Sequence, residues 1–450
     1  MIAAGTRLAA GGLVAALMLL TCPPASAIDQ PAVDAGAAVP PGSAGPIAPM
    51  AQRGECITTG LRVGTDVAAP SPNQLMLNLA GAWRFSRGEG QTVAVIDTGV
   101  RPGPRLPNVT GGGDYMAATD GLTDCDGHGT LVAGIIAGQP GHDGFSGVAP
   151  AAHLVSIRQT SAMYAPAAPG NDPVTTRAVI DIGSLARAVV RAADLGARVI
   201  NISSVSCLPA DSSVDQMALG AALRYAAVDK DAVVVSAAGN AGPVGFSGHA
   251  ACQSNPGTWA GVTTASVPSW WQPYVLSVGS VAPDGQPSDF TMGGPWLGLA
   301  GPGQNVLSVS NSDGAALANG MPDGRGQLEP IEGTSFAAAY VSGVAALVRS
   351  RFPELTAPQV IERLAGSAHK GARAPSNMVG AGVVDPVAAL TWELPSSAPL
   401  DKSDQKVAAP VVPPAPDHTS RNIALTGAGV LACVVAAVAL TTHRRKERGR

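Results

Sequence analysis

Asp97, His128, Asn240 and Ser335 are the residues of this chain whose types and order could do covalent chemistry together. A serine hydroxyl becomes a useful nucleophile only when a base takes its proton, an acid holds that base in the right tautomer, and donors meet the charge that develops on the attacked carbonyl oxygen. The four residues fill those four roles: Asp97 the orienting acid, His128 the base, Ser335 the nucleophile and Asn240 an oxyanion donor. Taken singly, each has a plainer explanation. Asp97 precedes a glycine two positions on, as turn aspartates do, and His128 stands between glycines in DGHGTLVAG. Ser335, in EGTSFAAAYVSGVAAL, could simply cap the buried helix that the small apolar residues behind it predict. Joint occurrence in the order Asp, His, Ser makes chemistry the better reading.

Such groups act only if the fold gathers them at one edge. Reacting groups in an open α/β sheet collect beyond the carboxyl ends of the strands. Asp97 directly follows TVAVI (92–96), and Asn240 closes the stretch that begins with AVVVSA (232–237). Three more short β-branched runs, HLVSI (153–157), RVINIS (198–203) and YVLSVGSV (274–281), have the nearly continuous apolar character of strands covered on both faces. Helical patterns lie between them at 129–137, 184–195, 214–228, 335–350 and 357–365. The alternation predicts an α/β fold, a doubly wound parallel sheet with helices on both faces. Gly- and Pro-rich segments at 161–173 and 311–330 are expected to be surface loops. No internal repeat is visible.

Composition limits the alternatives. Only 4% of the 450 residues are aromatic and 13% charged, with 55 Gly and 38 Pro, which favours a glycine-rich α/β enzyme over a helical bundle. The net charge of −4, with no basic block before the last residues, excludes a nucleic-acid partner. Residues 1–27 have the parts of a secretory signal peptide: Arg7, an apolar run over 8–20 and Ala25-Ser26-Ala27. Residues 28–80 form a Pro/Gly/Ala-rich N-terminal extension, laid over something else because it cannot build a core. A catalytic domain is expected over 81–392 and a Pro-rich linker over 393–422. Residues 423–442 are uncharged and long enough for a transmembrane helix, and the basic tail at 443–450 should stay cytoplasmic. The chain is thus expected to be a single-pass membrane protein whose catalytic domain is extracytoplasmic. Cys56, Cys125, Cys207 and Cys252 lie in the exported part, where two disulfides are the default and three pairings are open.

The segments VAVIDTGV, DGHGTLVAG, SAAGN and GTSFAA together resemble the signature segments of the subtilisin-like serine proteases, over about 81–392. The signal peptide, the extension, RFSRGEGQTVAVIDTGV, GTSFAAAYVSGVAALV and the anchored tail are similar, more narrowly, to the mycosins, membrane-anchored subtilases of type VII secretion. The resemblance implies peptide-bond hydrolysis through an acyl-enzyme by Asp97, His128 and Ser335. Asn240 and the Ser335 amide would form the oxyanion hole. Ser203, Ser204 and Val205, together with Ala237, Ala238 and Gly239, would line the substrate cleft. It also implies the pairings Cys56–Cys125 and Cys207–Cys252. Two departures stand out: Ala339 where subtilases usually carry proline, and Val205 where they usually carry glycine, from which a preference for small residues before the scissile bond is expected. The implied partners are secreted protein substrates and the type VII secretion membrane complex. No metal-ligand cluster appears in the sequence, so no metal and no cofactor are expected. The competing functions are a mainly structural component of that complex and a general degradative cell-envelope subtilase.

Overall fold

The computed structural model of the protein describes residues 28–34, 36–242, 252–371 and 374–394, with 428, 431–432 and 434–439. The expected signal peptide, nearly all of the linker, most of the expected span and the basic tail lie outside the described residues. Among the described residues no helix is long and apolar enough to cross a membrane.

Seven strands make one all-parallel sheet: β1 (Thr92–Asp97), β2 (Val109–Asp114), β3 (His153–Arg158), β4 (Val199–Ile202), β5 (Val233–Ala237), β6 (Val275–Val281) and β7 (Leu297–Pro302). Their spatial order is β7-β6-β5-β4-β1-β3-β2, so the direction of winding reverses beside β1. Successive β1 residues pack on opposite faces. Val93 and Val95 join α1 (His128–Ala137) and α4 (Thr334–Arg351) in one core. Ala94 and Ile96 join α2 (Pro173–Asp194) and α3 (Met217–Arg224) in the other. Two-sided burial is why the inner strands are nearly continuously apolar rather than alternating.

Five of the seven strands coincide with the expected β-branched runs. The other two, VTGGGD and LGLAGP, are glycine-rich and carry little β-branched signal. Helix α2 begins eleven positions before the expected start, at Pro173, because Asp172 caps it through the N–H groups of Val174 and Thr175. Neither predicted loop is wholly irregular. Residues Tyr164–Pro166 pair with Met50–Gln52 of the extension, and Gly320–Pro322 forms a hairpin with Leu328–Pro330. The extension therefore contributes a strand of its own, and further along Gly60 bridges to Gly320 and the Arg62 N–H donates to Asn319.

Helix α4 is buried from Thr334 to Arg349. A helix apolar on all sides is stable only when surrounded, here by α1 and by β4 to β7. It continues unbroken through Ala339, which is fully buried. Alanine fits a helix interior, where proline would remove a hydrogen bond.

Candidate active site

Asp97 ends β1 at the point where the winding reverses, the place where open α/β sheets form their binding crevice. His128 is the first residue of α1, and Ser335 is the second of α4. Both helices begin on glycine, Gly127 and Gly333, and neither has a side-chain cap. The plainer reading of Ser335 as a helix cap does not hold: the cap position belongs to Gly333, and the Ser335 hydroxyl is directed to His128.

The three side chains form a hydrogen-bonded line. His128 Nδ1 lies 2.8 Å from Asp97 Oδ1, and His128 Nε2 lies 2.9 Å from Ser335 Oγ. A carboxylate can only accept, so Nδ1–H donates, Nε2 is left as the acceptor of neutral imidazole, and the serine hydroxyl donates to it. Burial pushes the Asp97 carboxyl up, but the facing imidazole, the Ser203 hydroxyl and the Thr98 N–H together hold it below the usual carboxylate range. Burial alone would lower His128; the charges of Asp97, Asp124 and Asp126 and the bond to Asp97 raise it above its ordinary value. Phe336, the residue after the serine, covers one side of the imidazole with ring centroids 4.8 Å apart.

Asn240 follows β5 and bridges to Thr291. Its Oδ1 accepts both the N–H (3.0 Å) and the hydroxyl (2.9 Å) of Thr334. With the oxygen so engaged, the amide nitrogen is the free end, beside Gly333 and the serine. A Cβ on Gly333 would stand 3.2 Å from Ser335 Oγ and 3.3 Å from Asn240 Nδ2, inside the space that a developing oxyanion needs. The Ser335 N–H, in the first turn of α4, has no carbonyl one turn back to bond to. Thr334 escaped the sequence reading; its signal was a hydroxyl residue immediately before the serine.

A cleft of about 310 Å³ opens over these groups. Ser203, Ser204, Val205, Ala237 and Gly239 line it as expected. Ala238 does not: it is fully buried, and its N–H donates to Val278 O. The opposite wall, not anticipated, is the hairpin from Met321 to Glu332. Thr98, Thr160 and Ala162 complete the floor. The disulfides are Cys56–Cys125 and Cys207–Cys252. The first ties the extension three residues before His128, and Cys252 of the second lines the cleft. Among the described residues no three His, Cys, Asp or Glu side chains are gathered as metal ligands.

A profile of the Subtilase family matches residues 88–382. Over 439 residues the chain is 60% identical to mycosin-3 of Mycobacterium tuberculosis, covering 94% of this chain and 95% of that one. Its fold superposes on the MycP3 protease from the type VII (ESX-3) secretion system with a TM-score of 0.78 and 65% identity, covering 81% of this chain and 100% of the other. It also superposes on a chain of an intact ESX-5 inner membrane complex with a TM-score of 0.78 and 44% identity, covering 92% and 100%. The chain belongs to the subtilase family of serine proteases and, within it, to the mycosins.

Proposed function

We propose that the protein is a membrane-tethered serine endopeptidase that cleaves selected secreted proteins and works in association with a type VII secretion complex. The observation that carries this reading is the continuous line from Asp97 through His128 to Ser335 at the floor of an open cleft. In it Ser335 Oγ attacks the scissile carbonyl carbon as His128 Nε2 takes the hydroxyl proton. The new C–O bond places the electron pair on the carbonyl oxygen, where Asn240 Nδ2 and the Ser335 N–H receive it. Collapse of the intermediate breaks the C–N bond, and His128 returns the proton to the leaving amine. Water then repeats the sequence on the ester, releasing the acid and restoring Ser335. Asp97 keeps Nδ1–H in place and stabilises the imidazolium throughout.

Val205, at the wall of the cleft, supports a preference for small residues before the scissile bond. Efficient cleavage after Phe or Tyr in a peptide library would remove that preference. The domain assignments at 1–27, 28–80, 81–392, 393–422, 423–442 and 443–450 belong to the same proposal, with the catalytic domain outside the membrane and the tail in the cytoplasm. Support for a place in the secretion complex comes from the relative solved within the ESX-5 inner membrane complex. That likeness also favours a second role, physical support of the complex.

One experiment separates the two roles. Cells carrying Ser335→Ala are compared with wild type for cleavage of secreted proteins and for total secretion. Lost cleavage with retained secretion is the outcome expected for an enzyme that also serves as scaffold. Unchanged processing would overturn the protease reading.

A further inference from the structure

We propose that Asp124 is a positioning residue for the catalytic pair, holding the strand end that carries Asp97 and the helix start that carries His128 in one register, with the N-terminal extension bracing it from behind. The proposal rests on the roles assigned above to Asp97, His128 and Ser335.

The Asp124 carboxylate is buried and receives five donors. Its Oδ1 accepts the Thr98 hydroxyl (2.9 Å) and the N–H groups of Asp126 (3.2 Å) and Gly127 (2.8 Å). Its Oδ2 accepts the N–H (2.8 Å) and the hydroxyl (2.6 Å) of Thr130. Four of the five therefore come from residues flanking His128, including a first-turn amide of α1. The fifth comes from the residue after Asp97. Thr98 closes the link, because its oxygen also accepts the Gly129 N–H at 2.9 Å while its own N–H donates to Asp97 Oδ1 at 2.7 Å. One carboxylate thus fastens both halves of the acid–base pair to each other. Catalytic groups act only when held to within about 0.5 Å of the productive geometry.

The bracing comes from the extension. Cys125, the next residue, is bonded to Cys56, and the Ile57 N–H donates to Cys125 O at 2.9 Å. The Asn311 amide donates to the carbonyls of Asp124 (3.3 Å) and Ile57 (3.0 Å), and its Oδ1 accepts the Thr59 N–H (3.0 Å). A segment that is Pro/Gly/Ala-rich and coreless in sequence is fixed at this one point by a covalent bond and by a buried amide.

Charge adds a second signature. The groups around Asp124 are Asp97, Asp126 and His128, with Arg158 facing Asp126. Burial pushes the Asp124 carboxyl up to about 6, the Thr130 bonds oppose this, and the Asp97 charge adds to it. The Asp124 charge in turn helps raise His128. Removing it must lower the pH at which His128 takes up a proton.

The test uses the purified full chain and a fluorophosphonate probe, which phosphonylates an activated serine with loss of fluoride and so needs no knowledge of the natural substrate. Asp124→Asn is expected to be labelled up to about 10²-fold more slowly, the loss that misplacing a catalytic group produces. Its half-saturating probe concentration should be unchanged and the midpoint of its acid limb lower than wild type. Thr98→Val, which removes only the hydroxyl joining the two halves, should also slow labelling, and Thr98→Ser should restore it. Should Asp124→Asn fail to fold, the Thr98 pair decides. Wild-type labelling rates and acid midpoints in Asp124→Asn and Thr98→Val, with or without a change in melting temperature, would overturn the proposal. Ser335→Ala keeps the two levels apart. If the wild type is itself labelled no faster than Ser335→Ala, the site assignment falls and this inference with it; if only Ser335→Ala is silent, the failure is confined to Asp124.

Discussion

Helices α1 and α4 begin differently from most other described helices, although α3 after Gln216 also lacks a side-chain cap and Asn78 caps Leu79–Ala82 without proline. In three of the others a polar side chain closes the first turn and proline follows: Ser71 before Pro72–Met76, Asp172 before α2, and Asp385 before Pro386–Thr391. At the helix Ala357–Gly366, Thr356 shares Gln359 through both its N–H and its hydroxyl, with proline again in the first turn. Helices α1 and α4 open on Gly127 and Gly333, with neither side-chain cap nor proline. A cap satisfies first-turn amides locally and fixes the direction of entry. Leaving it out frees those amides for other uses. In α4 the freed amide is the one proposed to meet the oxyanion, and in α1 the amides are taken by Thr98 and Asp124, of which Thr98 also bonds the neighbouring acid. The two catalytic helices have exchanged local capping for function.

Ser335→Ala is the most severe way to probe this contrast. Loss of a subtilisin nucleophile lowers turnover on the order of 10⁶-fold, and the same scale is expected here. Because Ser335 caps nothing, its removal should leave stability within about 0.5 kcal/mol of wild type. Hydrolysis of a quenched fluorescent peptide library and a denaturant titration read the two effects separately. A large stability loss would mean that the hydroxyl supports the helix after all.

Asp97→Asn comes next, at about 10⁴-fold, because an amide no longer holds the productive imidazole tautomer. The pH profile carries the sharper result. Catalysis needs neutral His128, so wild-type activity is lost as the pH falls through a His128 value raised above 6.5. Removing the Asp97 charge takes away the largest support for that raised value, and the acid limb should move to lower pH. An unmoved limb would assign the titration to another group.

Asn240→Ala tests what the uncapped α4 amide shares its task with. Loss of one oxyanion donor costs on the order of 10²- to 10³-fold in turnover. Thr334→Val should be milder, about tenfold, the equivalent of one hydrogen bond of about 1.4 kcal/mol. Both should change turnover rather than substrate affinity. Equal losses in the two variants would mean that Thr334 does more than orient the Asn240 amide.

The same contrast explains which parts of the molecule were legible in the sequence. Asp97, His128, Asn240 and Ser335 stood out because four chemically compatible side chains fell at strand ends and helix starts. Five strands stood out because two-sided burial demands β-branched residues. Strands β2 and β7 did not, since GGGD and GLAG carry no such residues and owe their conformation to neighbours already in the sheet. Thr334 and Thr98 were silent because an ordinary threonine shows its role only when its partner, distant in sequence, is in place. The hairpin wall of the cleft was silent for a related reason: its turn residues look like any loop until the extension bridges at Gly60 and bonds through Arg62. The resemblance placed Ala238 in the cleft with its neighbours, but the residue just past β5 is fully buried and bonds back to Val278 of β6.

The smallest predicted effect bears on the capped class. Ser71 accepts the Gln74 N–H and its own N–H donates to Gln74 Oε1, both at 3.3 Å, a reciprocal cap on a short helix of the extension. Ser71→Ala should remove about 0.5–1 kcal/mol, the lower part of the range for lost caps, given these long bonds. Helix Pro72–Met76 contributes no residue to the cleft, so fluorophosphonate labelling and its acid midpoint should be unchanged. Put beside Ser335→Ala, the result separates two serines at the starts of two helices: one sets stability without activity, the other activity without stability. A fall in labelling for Ser71→Ala would show that the extension transmits strain from its own helix to the Cys56–Cys125 tie, and the division between capped and uncapped helices would then be one of degree.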